Sequence, residues 1–402
     1  MMNEHIVVIG QQDWESTIGS NNVNIAKEFA KQNKVLYVNI ALDRITLCRN
    51  KQDVLVRKKL RFVTQKHWQP EPVLPNLWVL YPSVVLESVN WLPKGLIYDF
   101  FNKRNNQKLA KSIIAACQKL GFDSFVLFND SLISRAVYLK KLLQPSFYIY
   151  YSRDNFSSQP YFQKHALEEE KNIIKEANLV VANSTQLAQI AKQHNPHSYD
   201  IGQGCDLNLF KATSPANVPE MAAFPRPIIG YAGFLTAMRL DIELLVHIAT
   251  SRPCWSFVLI GPEDDAFRRS SLHHLANVYF LGNKKPEELP AYISQFDVAI
   301  NPQLVNELTN GNYPRKIDEY LAMGKPVVAT QTEFMHYFSG FCHLPHNLSS
   351  WIESIEKALA EKHETQKKER IAFAHTHSWE KNVQKIYKLV AEIRDNKKFG
   401  AV

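Results

Sequence analysis

Nowhere in this 402-residue sequence does an uninterrupted apolar run approach the ~18 residues that a membrane-spanning helix needs. Its five cysteines, Cys48, Cys117, Cys205, Cys254 and Cys342, lie far apart with no C-x-x-C and no metal-finger spacing. That excludes a disulfide-stapled module and suits a reducing compartment. Short-period repeats and low-complexity tracts are missing, as is an Asp-x-Asp loop after a strand. The paired histidines (His194 and His197, His273 and His274) have no carboxylate or cysteine at ligand spacing, and Asp264-Asp265 sit in a polar stretch. No metal site and no cofactor are therefore expected. The apolar run Ile6 to Ile9 behind Met1-Met2-Asn3-Glu4-His5 is too short for a secretory signal, so the expected location is cytoplasmic.

What is present is a globular composition, 45% hydrophobic and 21% charged, in a chain long enough for two or three domains. The net charge of +8 is unevenly placed: residues 1 to 200 hold 25 Lys and Arg against 17 Asp and Glu, and the remainder is balanced at 22 against 22. The densest basic run, Arg49 to Lys66, includes Arg57, Lys58, Lys59 and Arg61 against Asp53 alone. Such a run is either a solvated face or a contact for an anionic partner.

Apolar segments alternate with helical patterns along most of the chain. Ile6 to Ile9, a polar loop, a helix from Ser20 to Ala30 and Val35 to Val38 form a β-loop-α-β unit. Strands are expected at Leu77 to Tyr81, Phe125 to Phe128, Phe147 to Tyr151 and Leu179 to Ala182. Helices are expected at Gln107 to Lys119, Ser131 to Leu142 and Tyr161 to Glu176. Pro215, Pro219, Pro225 and Pro227 break the pattern over 211–227, after which a second alternating series begins at Ile228. The expected fold class is α/β, with two Rossmann-like doubly wound domains facing a cleft. These are an N-terminal domain at 1–210, a linker at 211–227, a second domain at 228–378, and a C-terminal amphipathic helix and tail at 379–402.

Open α/β sheets bind ligands at the carboxyl ends of their strands, so the loops there are the candidates. In the second domain, Pro314 to Pro326 reads as a short helix with Pro at its start and Gly324 at its C′ position. Lys316 adds a full charge to the anion-attracting first turn, and Glu319 on the same face has acceptor oxygens that suit a ribose diol. A surface helical pair is the plainer meaning of these two residues. A second basic loop, Gly230 to Asp241, shifts the balance: Gly233 allows close backbone approach, and Arg239 at the next helix start has the fork geometry for a diphosphate. Two such loops make a diphosphate site.

The series Gly230 to Asp241, F-V-L-I-G-P (Phe257 to Pro262), N-V-Y-F-L-G (Asn277 to Gly282), F-D-V-A-I-N-P (Phe296 to Pro302), P-R-K-I-D-E-Y-L-A-M-G-K-P-V-V-A-T (Pro314 to Thr330) and H-S-W-E (His377 to Glu380) resembles the donor domain of GT-B glycosyltransferases, nearest to bacterial surface-polysaccharide enzymes of the group 1 type. The resemblance implies that Arg239 and Lys316 contact the donor diphosphate, Glu319 the ribose, and the Gly282-Asn283-Lys284 loop the base, with Gly233 and Tyr313 beside them, and that the C-terminal helix at 379–402 crosses back to the first domain. Many retaining members carry two glutamates separated by seven residues; here the first would be Gly311, so stereochemistry stays open.

With the nucleotide sugar on the second domain, the resemblance leaves the first domain to bind the acceptor; there Gly19 at the first helix start is a candidate donor contact, with a plain Ser20 N-cap as the alternative. Asp154 and Asp130 each follow an apolar strand, and Asp154 is preferred as catalytic base because Asn129 or Asp130 can cap the next helix. The expected partners are a nucleotide sugar and a glycan or polyprenyl-linked acceptor, without nucleic acid. An anionic membrane surface is a further candidate, because Trp91, Leu92, Leu96, Ile97, Tyr98, Phe100 and Phe101 precede Lys103 and Arg104; core filling is the alternative. The competing functions are a nucleotide-sugar epimerase of the same fold and a non-catalytic or nucleic-acid-binding protein, the latter without any recognised module.

Overall fold

A computed structural model of the chain describes all residues except 17–19, 66–67, 154–163, 208, 211–217, 307–308, 310–312, 362 and 400–402. Two compact units emerge, Met1–Gly204 with Trp379–Val402 and Cys205–Ser378.

In the first unit the chain runs β1 (His5–Gly10), α1 (Asn21–Ala30), β2 (Lys34–Val38), β3 (Leu42–Asp43), α2 (Arg44–Arg49), α3 (Val54–Thr64), β4 (Glu71–Leu74), β5 (Leu77–Leu80), β6 (Val85–Leu86) and α4 (Leu96–Leu120). It continues with β7 (Val126–Asp130), α5 (Leu139–Leu143), β8 (Phe147–Ser152), α6 (Ala166–Glu176), β9 (Leu179–Ala182), α7 (Thr185–Lys192) and β10 (Ser198–Asp200). The main sheet has the order β10-β9-β8-β7-β1-β2-β5-β4, and β3 pairs with β6 apart from it. Pairing in the main sheet is parallel except at the β4/β5 hairpin, which turns at Asn76 in the left-handed region (φ 60°). Ile6 and Val8 enter one core and Val7 and Ile9 the other, as a strand covered on both faces requires.

The second unit holds β11 (Ile228–Ala232), α8 (Ile242–Ser251), β12 (Ser256–Ile260), α9 (Asp265–Arg268), β13 (Val278–Phe280), α10 (Leu289–Ser294), β14 (Val298–Asn301), α11 (Arg315–Ala322), β15 (Val327–Ala329), α12 (Leu348–Ala360) and α13 (Glu364–His375). Its sheet is parallel, in the order β13-β12-β11-β14-β15. The last helix, α14 (Trp379–Phe399), belongs to the first unit. There Trp379, Val383, Ile386, Val390 and Ile393 fill the core beneath α1, and Arg394 pairs with Glu4.

Several expected boundaries move. The units divide at Gly204/Cys205 rather than over 211–227, because Cys205, Leu207, Phe210, Val218 and Met221 are buried in the second unit's core. The helix expected at Gln107 begins at Leu96, where Gly95 (φ 145°) ends the preceding loop. The helix expected from Ser131 to Leu142 shrinks to α5: Ser131 adopts φ 51°, and Asn129 Oδ1 accepts from Leu132 N (2.9 Å), building a turn instead.

Candidate functional site

In a doubly wound sheet the strand order reverses at one point, and a crevice opens at the carboxyl ends there. In the second unit that point lies between β11 and β14. The first residue beyond β11 is Gly233, with φ 148°, and its N–H donates to Ile260 O (2.7 Å). Gly261 (φ 145°) packs its bare Cα against the Gly233 carbonyl, and its own N–H reaches Gly282 O (2.8 Å). Three loops thus converge with little side chain between them.

Onto this surface comes the first turn of α11. Lys316 Nζ lies 5.3 Å from the centre of the Tyr231 ring, a cation–π contact. A Cβ built on Gly233 would overlap Lys316 Cε and come within 2.5 Å of Nζ, so the glycine makes room for the lysine. Tyr320 ties α11 to β11 by accepting from Ala232 N (2.9 Å). Glu319 is half-buried, and its carboxylate has no hydrogen-bond partner among the described residues. Burial raises its carboxyl above the usual range, against the opposing pull of Lys316 and Arg315.

Arg239 is exposed, and its guanidinium has no ion pair or hydrogen bond among the described residues. The helix expected to begin at Arg239 starts instead at Ile242, capped by Asp241 through Leu244 N (2.9 Å). Arg239 therefore projects from a loop. That loop is fixed by Ala237 N donating to Asp264 (2.8 Å), Asp241 N to Pro302 O (2.9 Å) and Leu304 N to Arg239 O (2.8 Å). Gly282 (φ 64°) and Asn283 are exposed beside the Gly261 turn, whereas Lys284 turns away to Glu220 (2.8 Å).

Tyr313 departs from its expected role as a donor contact. Its ring is buried, and its hydroxyl donates to Asp318 Oδ2 (2.5 Å). Asp318 is fully buried between Lys316 and Glu319 on α11, and its Oδ1 lies 2.7 Å from His377 Nδ1. His377 Nε2 in turn lies 2.8 Å from the Tyr337 hydroxyl, and its carbonyl accepts from Cys205 N (2.8 Å). Burial raises the Asp318 carboxyl, with His377 and Tyr313 opposing. This buried network holds α11 in place. Its only sequence signal was His377 in the H-S-W-E motif, which carries no hint of the distant aspartate.

In the first unit the reversal lies between β1 and β7. Gly19 and Asp154 lie outside the described residues. Ser20 caps α1 through Val23 N (3.3 Å), the alternative meaning of that motif. Asp130 ends β7 beside Gly10, fully buried, and accepts from Arg153 Nε (2.7 Å). The helix-cap role considered for it does not arise, because no helix starts there and Asn129 accepts from Leu132 N in a turn. The basic run is also partly spent inside the unit: Lys59 is buried and pairs with Asp13 (2.6 Å), and Lys58 pairs with Glu15 (3.2 Å) and Glu71 (2.9 Å). Arg49, Lys51, Arg57 and Arg61 stay exposed. Of the apolar stretch, Tyr98 is core, but Trp91, Leu96, Ile97 and Phe100 are exposed. Among the described residues no group of three His, Cys, Asp or Glu is arranged to hold a metal ion, and no helix is long and apolar enough to cross a membrane.

Residues 226–361 match the family model described as glycosyl transferases group 1. The chain is 29% identical over 194 residues to a Bacillus subtilis protein named as a teichuronic acid biosynthesis glycosyltransferase, TuaH; the match covers 45% of this chain and 47% of that one, about half of each. Among solved structures it resembles Anabaena HepE in complex with UDP (TM-score 0.65, 16% identity, 97% and 100% of the two chains). It also resembles the sucrose-phosphate synthase of Thermosynechococcus elongatus (TM-score 0.64, 16% identity, 98% and 100%). The fold is that of the GT-B glycosyltransferases.

Proposed function

We propose that this chain, whose second unit carries a glycosyl transferases group 1 domain, moves a sugar from a nucleoside diphosphate sugar to a glycan or lipid-linked acceptor in cell-surface polysaccharide synthesis. The observation that supports this most directly is the meeting of Lys316 with the bare face of Gly233, beside a half-buried Glu319 whose carboxylate has no hydrogen-bond partner among the described residues. Lys316 and Arg239 hold the donor diphosphate and stabilise the charge that grows on it as it leaves, in place of a divalent ion. Glu319 accepts from ribose hydroxyls, and Gly282 and Asn283 border the base. On the acceptor side Asp154, two residues beyond β8, takes the proton of the attacking hydroxyl in an inverting displacement, with Asp130 held by Arg153 as a neighbouring support. The exposed apolar residues around the start of α4, with the exposed arginines of α3, rest against an anionic membrane surface.

Titration of UDP, ADP and GDP in the presence of EDTA, followed by donor hydrolysis without acceptor and NMR of the released sugar, tests this reading. Nucleotide binding in EDTA and release of an unepimerised sugar are the expected results. An epimerised product would place the chain with epimerases of the same fold. No binding of any nucleotide would overturn the proposal.

A further inference from the structure

The first unit contains a cavity of about 510 Å³ walled by α2, α4, Lys164 and the segments that follow β2, β5 and β7 at their carboxyl ends, the edge where an open parallel sheet takes its ligand. Asp43, Ser88, Trp91, Asn105, Arg135 and Lys164 are among its lining residues. Its polar groups largely satisfy one another. Arg135 pairs with Asp43 (2.9 Å), Ser88 Oγ donates to Asp43 (2.9 Å), and Asn105 bonds both backbone groups of Glu87 (2.8 and 2.9 Å). The lining is therefore rigid and nearly neutral, rich in amide, hydroxyl and carboxylate groups without a concentrated charge, which suits an uncharged polyol better than a nucleotide.

Trp91 stands at the rim. It is 70% exposed, yet its position is fixed: the indole N–H donates to Ser88 O (2.7 Å), and Lys164 Nζ donates to its carbonyl (3.0 Å). An indole pinned by its one polar atom presents a bare ring face. Such a face complements the C–H side of a pyranose at little entropic cost. Beyond the rim, Leu96 (87% exposed), Ile97 and Phe100 share the outer face of α4, and one turn on the same face carries Lys103 and Arg104. Both cations are exposed without an ion pair among the described residues; Lys94, on the other side, reaches Glu168 at 3.5 Å. Sugar-sized cavity, aromatic rim, apolar helix face and cations follow one another along a short stretch of chain.

We propose that this cavity binds the terminal sugar of a lipid-linked acceptor, with Trp91 as its stacking platform and the outer face of α4 against the lipid. Lys103 and Arg104, one turn beyond that apolar face, meet anionic groups of the surrounding lipid surface. The proposal rests on the transferase reading above and narrows its acceptor from any glycan to one carried on an apolar chain. A free oligosaccharide would leave the Leu96, Ile97 and Phe100 surface without a partner.

The test titrates the full chain with methyl and decyl β-glycosides of glucose, galactose, N-acetylglucosamine and glucuronic acid below micelle-forming concentration. At least one sugar is expected to bind, its decyl form at least about tenfold tighter, since a few buried methylenes suffice for that. Trp91→Ala should weaken both forms of that sugar by about tenfold and Trp91→Phe should restore them, because stacking needs the ring and not the indole N–H. Leu96→Ser with Phe100→Ser should erase the decyl advantage while leaving the methyl glycoside unchanged. Each variant should bind UDP as the wild type does. Binding by no glycoside, indifference to Trp91→Ala, or equal affinity of methyl and decyl forms would overturn the proposal. A chain that binds the glycosides but no nucleotide would instead sink the donor reading alone.

Discussion

Gly233→Ala is the substitution that asks most of the donor site, because it adds one methyl group to no cavity and removes no charge. Two separable effects are expected. The backbone at φ 148° lies where a Cβ is poorly tolerated, at a cost of about 1 to 3 kcal/mol, or several degrees in melting temperature for a unit of this size. The new Cβ would also occupy the place of Lys316 Cε, forcing the flexible amine off the Tyr231 ring and away from the crevice. Losing one charge-assisted phosphate contact is worth about 1.5 to 3 kcal/mol, roughly 10- to 100-fold in UDP affinity. The assay is a double-mutant cycle by calorimetric titration of UDP, with Gly233→Ala, Lys316→Ala and both together. If the methyl acts by displacing the lysine, the double variant binds UDP about as weakly as Lys316→Ala alone. Strictly additive losses, or a Gly233→Ala protein that melts lower but binds UDP normally, would refute the reasoning.

Three further substitutions carry expected outcomes. Burial raises the Glu319 carboxyl, so UDP affinity should fall as pH drops through that raised value, and Glu319→Gln should bind more weakly at neutral pH with the pH dependence flattened. For stability the sign is opposite: a raised folded value favours the fold below about pH 4.5, and that benefit is lost as pH rises through the folded value, so Glu319→Gln should melt higher at neutral pH. Asp154→Asn should lower turnover by ~10² to 10⁴ while leaving UDP affinity intact, and turnover within a few-fold of wild type would remove Asp154 from the mechanism. Lys59→Ala should destabilise the first unit by ~3 kcal/mol in denaturant unfolding, because it strands Asp13 in the loop after β1; the folded protein's binding to anionic vesicles should be unchanged.

The parts of this molecule that could be read from the sequence are those where local pattern and tertiary role coincide. Strands such as Ile6 to Ile9 and Ile228 to Tyr231 are apolar at every position because both faces are covered, and no competing pattern blurs them. The α11 region was legible for a similar reason, since Pro314 and Gly324 (φ 70°) bracket it as caps should. Elements set by distant partners were not legible. The short β3 and β6 strands exist by pairing with each other, and the turn at Ser131 depends on its hydroxyl donating to Tyr151 O (2.8 Å) across the sheet. Tyr313 illustrates the limit within the site: the family resemblance sets it among the donor contacts, and only the fold shows its hydroxyl turned to Asp318. Lys59 does the same for the basic run, where charge along the chain says nothing about which ammonium points inward.

The way carboxylates are used around the Gly233 crevice bears on what it attracts. Asp264 spends both oxygens on backbone N–H groups, Oδ2 on Ala237 and Oδ1 on Phe267 (2.9 Å). Asp241 caps α8, and Asp318 is closed between Tyr313 and His377. These three acids are thus consumed in fixing the loops, and none forms an ion pair with Lys316 or Arg239 among the described residues. Glu319 faces Lys316 closely enough to feel its charge without pairing to it. Two cations with no acid partner among the described residues, set beside backbone bare of side chains, meet a condition for capturing an anion of more than one charge. A diphosphate meets that condition, and a single carboxylate ligand would engage only one of the two cations. The same count makes a discriminating prediction: UDP should bind more tightly than UMP by roughly 10- to 100-fold in wild type, and Lys316→Ala should erase most of that difference. Equal affinities for UMP and UDP would mean that the crevice recognises the nucleoside and that the two cations serve another end.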